Sequence, residues 1–78
     1  MKRRKTYRIS YPELRFSDSP ERGYMFAIDP PHPTLRPVNG GLGYRSLNGA
    51  LVTRDNYANS LRGDGHIVII EGEPTRPA

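Results

Sequence analysis

The chain of 78 residues carries twelve Lys and Arg against eight Asp and Glu, for a formal net charge of +4, and has no cysteine. The lack of cysteine excludes disulfides and Cys-ligated zinc and favours an intracellular setting. Its longest aliphatic run, residues 67–70, is too short for a signal core or a membrane span, so we expect one cytoplasmic domain over residues 1–78 that contacts no membrane.

Positive charge is concentrated in two segments. Residues 1–8 hold five basic side chains and no acid, which is +5, so the rest of the chain sums to −1. Residues 30–54 hold Arg36, Arg45 and Arg54 and no acid. An electrostatic partner is therefore expected to meet the basic arm, residues 1–4, with the strand that follows it, or this acid-free middle segment.

An alternating pattern predicts the first strand, from Lys5 to Tyr11. Tyr7 and Ile9 share one face and Arg8 lies on the other, which is typical of a half-buried strand. Pro12 stops or bends this strand, because proline donates no hydrogen bond to a ladder.

A hairpin and a connector are predicted after Pro12. Residues 13–17 alternate again, residues 18–23 have the composition of a turn, and residues 24–28 form the returning strand. Residues 30–37 contain four prolines, which enforce an extended connector and exclude a helix.

Asn48-Gly49 is the strongest local signal in the chain. Such a pair suits a type I′ turn, so we predict a tight hairpin with Leu47 opposite Ala50 and Ser46 opposite Leu51. The alternative is a single helix over residues 46–62, whose apolar side chains have near-helical spacing. We favour the hairpin because an Asn-Gly pair inside a helix costs about 1 kcal/mol or more.

A short helix and a final strand complete the predicted fold. Thr53 would cap a helix near residues 54–62, and Gly63 would stand just past its end. The side chains of Tyr57, Ala58 and Leu61 would face inward. Asp64-Gly65 makes a turn, residues 66–73 form a buried strand, and residues 74–78 form a polar tail. We therefore predict a β-rich α+β domain with five to six short, mainly antiparallel strands and one short helix, with a partly open barrel as one arrangement.

Residues 63–74, GDGHIVIIEGEP, resemble the final hairpin strand of swapped-hairpin DNA-binding antitoxins and transition-state regulators. The proline-rich middle of the chain does not fit the pattern of that family. We therefore carry over neither its fold nor its residues.

Nucleic acid is the partner that the charge pattern favours. Lys and Arg clustered at a chain end neutralise phosphates and release counterions. Tyr44, beside Arg45, is the aromatic side chain that we expect to be exposed for base stacking. The predicted nucleic-acid-binding residues are Lys2, Arg3, Arg4, Lys5, Arg8, Arg36, Tyr44, Arg45 and Arg54.

The sequence predicts no enzyme, cofactor or metal site. Neither His32 nor His66 has the spacing of a metal site or a catalytic triad. The glycine-rich residues 39–43 lack a phosphate-binding pattern, so a flexible loop is favoured over an anion site.

The alternative function is a protein–protein interaction module, such as a small phage-type inhibitor or an assembly component. Its surface loops or an exposed edge strand would then bind the partner. That partner would be an acidic protein surface. A homodimer is a further expected assembly, because a chain this short buries only about 60% of its unfolded surface and association would stabilise it.

Overall fold

The computed structural model describes residues 4–15 and 23–72, which form an α+β fold with one helix and two small sheets. A three-stranded sheet has the order β4-β1-β5, and a two-stranded sheet pairs β2 with β3. The described residues form no closed barrel, whereas the predicted β-rich α+β class is confirmed. The elements are β1 (Thr6–Ser10), β2 (Glu13–Leu14), β3 (Tyr24–Met25), β4 (Ile28–Asp29), α1 (Leu47–Gly63) and β5 (Ile67–Glu71).

The first four strands form one bent antiparallel hairpin. Ile9 pairs with Ile28 in the larger sheet and Leu14 pairs with Tyr24 in the smaller one. Between these pairs, residues 10–12 oppose residues 26–27, so the first arm carries one extra residue, as in a β-bulge. The bend predicted at Pro12 lies at this bulge, and the returning strand is split into β3 and β4. Residues 16–22, which include most of the predicted turn, lie outside the described residues.

Strands β1 and β5 are parallel neighbours, so the sheet is mixed. Thr6 lies beside Ile67 and Ser10 beside Glu71, with every residue between them in register. Side chains alternate between the two faces, and the core side chains of these strands share one face with helix α1 packed on it. The other face, here called the open face, carries six exposed side chains: Thr6, Arg8, Asp29, Ile67, Ile69 and Glu71.

The core lies between the sheet and α1. Ile9 and Leu61 are fully buried and pack with Tyr7 and Phe26, which confirms the inward face predicted for the first strand. Ala58 is also buried and Tyr57 is half-buried, as predicted for this side of the helix. The remaining members of the cluster are Ile28 and, partly buried, Leu35, Tyr44, Val68 and Ile70.

The predicted hairpin at Asn48-Gly49 is wrong, because both residues belong to the first turn of α1. Ser46 is the N-cap, and its hydroxyl accepts a hydrogen bond from the Gly49 amide at 3.0 Å. The first amides of a helix have no intrahelical partner, so poor helix formers are tolerated there better than in the interior. The helix therefore begins at Leu47, well before residue 54, and the Thr53 hydroxyl donates to the Gly49 carbonyl instead of capping.

The end of α1 is set by Gly65 and not by Gly63. Gly65 has a φ of +91°, its amide donates to the Arg62 carbonyl, and the His66 amide donates to the Leu61 carbonyl. These two bonds form a Schellman motif, whose left-handed position favours glycine. The predicted turn at Asp64-Gly65 is confirmed, and it directs the chain into β5.

The last strand is not buried as predicted. Strand β5 is an edge of the sheet, and Ile67 and Ile69 are 45% and 37% exposed. Since β5 pairs in parallel with β1, the similarity of residues 63–74 to a hairpin strand does not extend to its pairing. Residues 30–37 contain no helix, as expected, and no strand.

Candidate nucleic-acid interface

Lys5, the last residue of the basic segment (residues 2–5), is hydrogen-bonded to the sheet. The Lys5 carbonyl accepts a hydrogen bond from the Ile67 amide at 2.9 Å, and the Lys5 amide donates to Nδ1 of His66 at 3.1 Å. The side chains of Arg4 and Lys5 are exposed. The Lys5 side chain therefore projects from backbone that the β1–β5 ladder holds in place, and Arg4 directly precedes it. The other two predicted members, Lys2 and Arg3, lie outside the described residues.

Arg8 lies at the centre of the open face. Its Nη1 forms an ion pair with Oε2 of Glu71 at 2.8 Å, and its neighbour on β4 is Asp29. Both members of the ion pair are about half exposed, so the pair contributes little to stability. The negative charge of Glu71 nevertheless offsets the positive charge of Arg8 locally.

Two of the three arginines of the acid-free middle segment are exposed and the third is buried. Arg36 and Arg45 are exposed, whereas Arg54 is only 9% exposed. The Arg36 carbonyl accepts from the Tyr57 hydroxyl at 3.1 Å, which attaches the end of the proline-rich connector to α1. Arg54 was predicted to contact nucleic acid, but its side chain is directed into the protein.

Arg54 is a core residue of α1. Its guanidinium carbon lies 4.6 Å from the centre of the Tyr11 ring, and its Nη2 contacts Oδ1 of Asp55 at 2.6 Å. Its Nη1 is buried without a hydrogen-bond partner among the described residues. A buried donor of this kind loses its hydration without full compensation, so Arg54 contributes by its packing and its cation–π contact.

Tyr44 is half-buried, contrary to the expectation of an exposed stacking platform. Its ring stacks on Phe26 with 6.0 Å between centroids and 16° between planes. Burial and the neighbouring Tyr57 phenol raise the pKa of Tyr44, while the Thr53 hydroxyl acts in the opposite direction. The face of this ring that meets Phe26 is therefore unavailable to a base.

The raised pKa of Tyr44 predicts an alkaline loss of stability. In the folded state the phenol keeps its proton at a pH where the unfolded chain releases it. The resulting stabilisation is complete below about pH 10, the unfolded value, and is lost as the pH rises through the raised folded value. We expect Tyr44→Phe to lose stability less steeply over this range than the wild type, as measured by urea unfolding at several pH values. Equal steepness in both proteins would contradict this expectation.

The glycine-rich loop is internally bonded. The amides of Gly41 and Gly43 donate to the Val38 carbonyl at 2.9 Å, and the Leu42 amide donates to the Asn39 carbonyl at 3.3 Å. Amides that are used in this way cannot also bind an anion. The loop is a folded turn, which opposes an anion site here, and Arg45 lies beside it without a described acidic partner.

Both histidines pack against Tyr7, a cluster that the sequence did not predict. The Tyr7 ring lies 5.2 Å from His66 and 5.8 Å from His32, measured between centroids. Nδ1 of His32 accepts from the amides of Thr34 and Leu35, as Nδ1 of His66 accepts from Lys5. Each ring therefore organises backbone at the end of the sheet where the basic segment enters. No sequence signal indicated that β1 and β5 would bring these residues together.

A groove of about 280 Å³ lies beside the proline-rich connector. Phe26, Ile28 and Leu35 supply apolar walls, and His32 and Arg36 lie at its polar part. The sequence does not indicate this groove, because its lining combines residues of the connector with residues at and before β4.

The described part of the chain lacks two kinds of feature. It contains no group of three or more His, Cys, Asp or Glu side chains that could hold a metal ion. Nor does it contain a helix with the length and apolar character needed to cross a membrane.

The chain matches no protein-family model, and neither curated proteins nor solved structures are significantly similar to it.

Proposed function

We propose that the protein binds nucleic acid without catalysing a reaction, and that the basic segment, residues 2–5, contacts phosphates. The attachment of Lys5 to the sheet supports this proposal most directly, since it holds this exposed basic residue in place directly after exposed Arg4. Because the backbone at Lys5 is already ordered, this residue loses less conformational entropy when it binds. Phosphate neutralisation would release counterions, giving affinity that depends steeply on salt and little on base sequence.

Other basic residues contribute unequally to the proposed interface. Arg8 is secondary because Glu71 offsets its charge, and exposed Arg36 and Arg45 would extend the contact along a longer nucleic acid. Arg54 and Tyr44 are left out of the proposed interface, because one is buried and the other stacks on Phe26.

Removing two charges from the basic segment is expected to weaken binding more than removing two elsewhere. The double variant Arg4→Gln/Lys5→Gln should reduce the slope of log K against log salt by roughly 1.4 for a single strand, as loss of two phosphate contacts requires. The matched control is Arg15→Gln/Arg62→Gln, which removes two exposed arginines outside the proposed interface. Fluorescence titration of labelled single-stranded and duplex DNA at two or more salt concentrations measures both slopes.

A third variant tests the middle segment. Arg36→Gln/Arg45→Gln should reduce the slope by less than the Arg4/Lys5 change. The proposal is overturned if the wild type does not bind either DNA at low salt. Equal losses from all three double variants would show a response to net charge alone, which contradicts a defined interface.

A further inference from the structure

The two edges of the three-stranded sheet are protected to very different degrees. Edge strand β4 has only two residues, Ile28–Asp29, and Pro30 and Pro31 follow it directly. Short length and proline are common means of preventing an edge from pairing with another chain. Edge strand β5 has five residues, of which residues 67–70 are all β-branched and uncharged, and it contains neither lysine nor proline. Among the described residues, no strand pairs with the outer side of β5.

The outer side of β5 presents unpaired backbone groups. The Ile67 amide donates to the Lys5 carbonyl and the Glu71 carbonyl accepts from the Tyr11 amide, so these residues point their backbone toward β1. Backbone direction alternates along a parallel ladder, and therefore Val68 and Ile70 direct their N–H and C=O groups outward. These two residues form a ready template for one more strand.

Apolar side chains accompany the unpaired backbone. Ile67 and Ile69 are exposed on the open face, while Val68 and Ile70 are half-buried on the core face. The domain itself has a small core, and chains of this size gain stability from association. A partner strand at this edge would pair the backbone and cover isoleucine on the open face.

We propose that β5 pairs with β5 of a second copy of this chain, antiparallel about a two-fold axis at Ile69, to form a continuous six-stranded sheet. Val68 then lies opposite Ile70 of the second copy, and the reverse pair repeats the contact, so every outward backbone group of Val68 and Ile70 is bonded. The open faces of both copies lie on the same side of this sheet, with the two Ile69 side chains adjacent to each other.

Charge and symmetry favour a second copy over a different protein. Each chain carries +4, yet residues 67–70 are uncharged, so pairing brings no like charges face to face. In this register Glu71 lies opposite Ile67, the two Glu71 carboxylates stay at opposite ends, and each keeps its ion pair with Arg8. The contact is also isologous, which means that both copies use the same surface and that the assembly closes after two copies. The two protected β4 strands are then the outer edges of the six-stranded sheet.

A single lysine at the axis tests the proposal. Ile69→Lys would place two ammonium groups beside each other across the axis, whereas Leu14→Lys makes the same charge change on an exposed leucine of the other sheet. We expect sedimentation equilibrium to give a mass of twice 8.8 kDa for the wild type and for Leu14→Lys. Ile69→Lys should give 8.8 kDa, because its dimer dissociation constant should rise at least tenfold. Circular dichroism verifies that each variant is folded.

Amide hydrogen exchange of the wild type gives a second, independent readout. The proposal predicts slow exchange for the Val68 and Ile70 amides that becomes faster on dilution. A monomeric wild type at all accessible concentrations would overturn it, as would a dimer that Ile69→Lys does not weaken. Both measurements are made without nucleic acid, so their outcome is separate from that of the DNA titration.

Discussion

Replacing Leu61 with alanine is expected to lower the free energy of unfolding by about 3 kcal/mol. The Leu61 side chain is fully buried and packs between α1 and the sheet with Ile9 and Tyr7. Its truncation removes apolar contacts and leaves a cavity that a small core cannot refill completely. A domain of this length has a total stability of roughly 4–12 kcal/mol, so the loss is a large fraction of the whole.

Urea unfolding followed by far-ultraviolet circular dichroism measures this loss. The control is Leu14→Ala, the same substitution at a side chain that is 50% exposed, and it should change stability by less than about 0.5 kcal/mol. Because dimerisation adds to apparent stability, all variants are compared at one protein concentration. A similar loss for both substitutions would contradict the assigned core.

Substitution of Arg54 gives the second large expected effect on the free energy of unfolding. This effect depends more on the volume of the side chain than on its charge. We expect Arg54→Ala to lower the free energy of unfolding by about 2 kcal/mol, since the buried stem and the contact with Tyr11 are lost. Arg54→Met should change it by less than about 1 kcal/mol, because methionine fills much of the same space and leaves no buried donor unpaired. Asp55 remains about half exposed and hydrated in both variants.

The same urea experiment compares both variants with Arg62→Ala, an exposed arginine in the last turn of α1. That control should stay within about 0.5 kcal/mol of the wild type. An equal loss for Arg54→Met and Arg54→Ala would show that the guanidinium charge itself stabilises the fold. Neither Arg54 variant should change the salt slope of DNA binding while the protein is folded.

The sequence was sufficient to predict the first strand and the inward face of the second half of α1. A buried face repeats every second residue in a strand and every three to four residues in a helix. Tyr7 and Ile9 follow the first spacing, and Ala58 and Leu61 follow the second. The start of the helix was mispredicted because two local preferences compete at Asn48-Gly49. Ser46 decides between them, since a capped first turn accepts residues that a helix interior disfavours.

Long-range pairing could not be predicted in the same way. The uncharged run 67–70 has the composition of a buried strand, yet its place at the edge depends on which strand it meets. For the candidate interface, the exposure of Arg4 and Lys5 is expected from their charge, since Lys and Arg are seldom buried. The burial of Arg54 could not be predicted from its charge. Its spacing from the small residues Ala50 and Ala58 does place it on the packed side of the helix.

The parallel pairing of β1 and β5 also determines how the domain responds to tension. The chain enters the sheet near Arg4 and leaves it near Gly72, at the opposite end, because Thr6 lies beside Ile67 and Ser10 beside Glu71. A pulling force between these two points slides the strands along each other and loads the evenly spaced ladder bonds together. A hairpin pulled at its open end loses such bonds one at a time. We therefore expect a higher unfolding force along this direction than for the same ladder opened from one end.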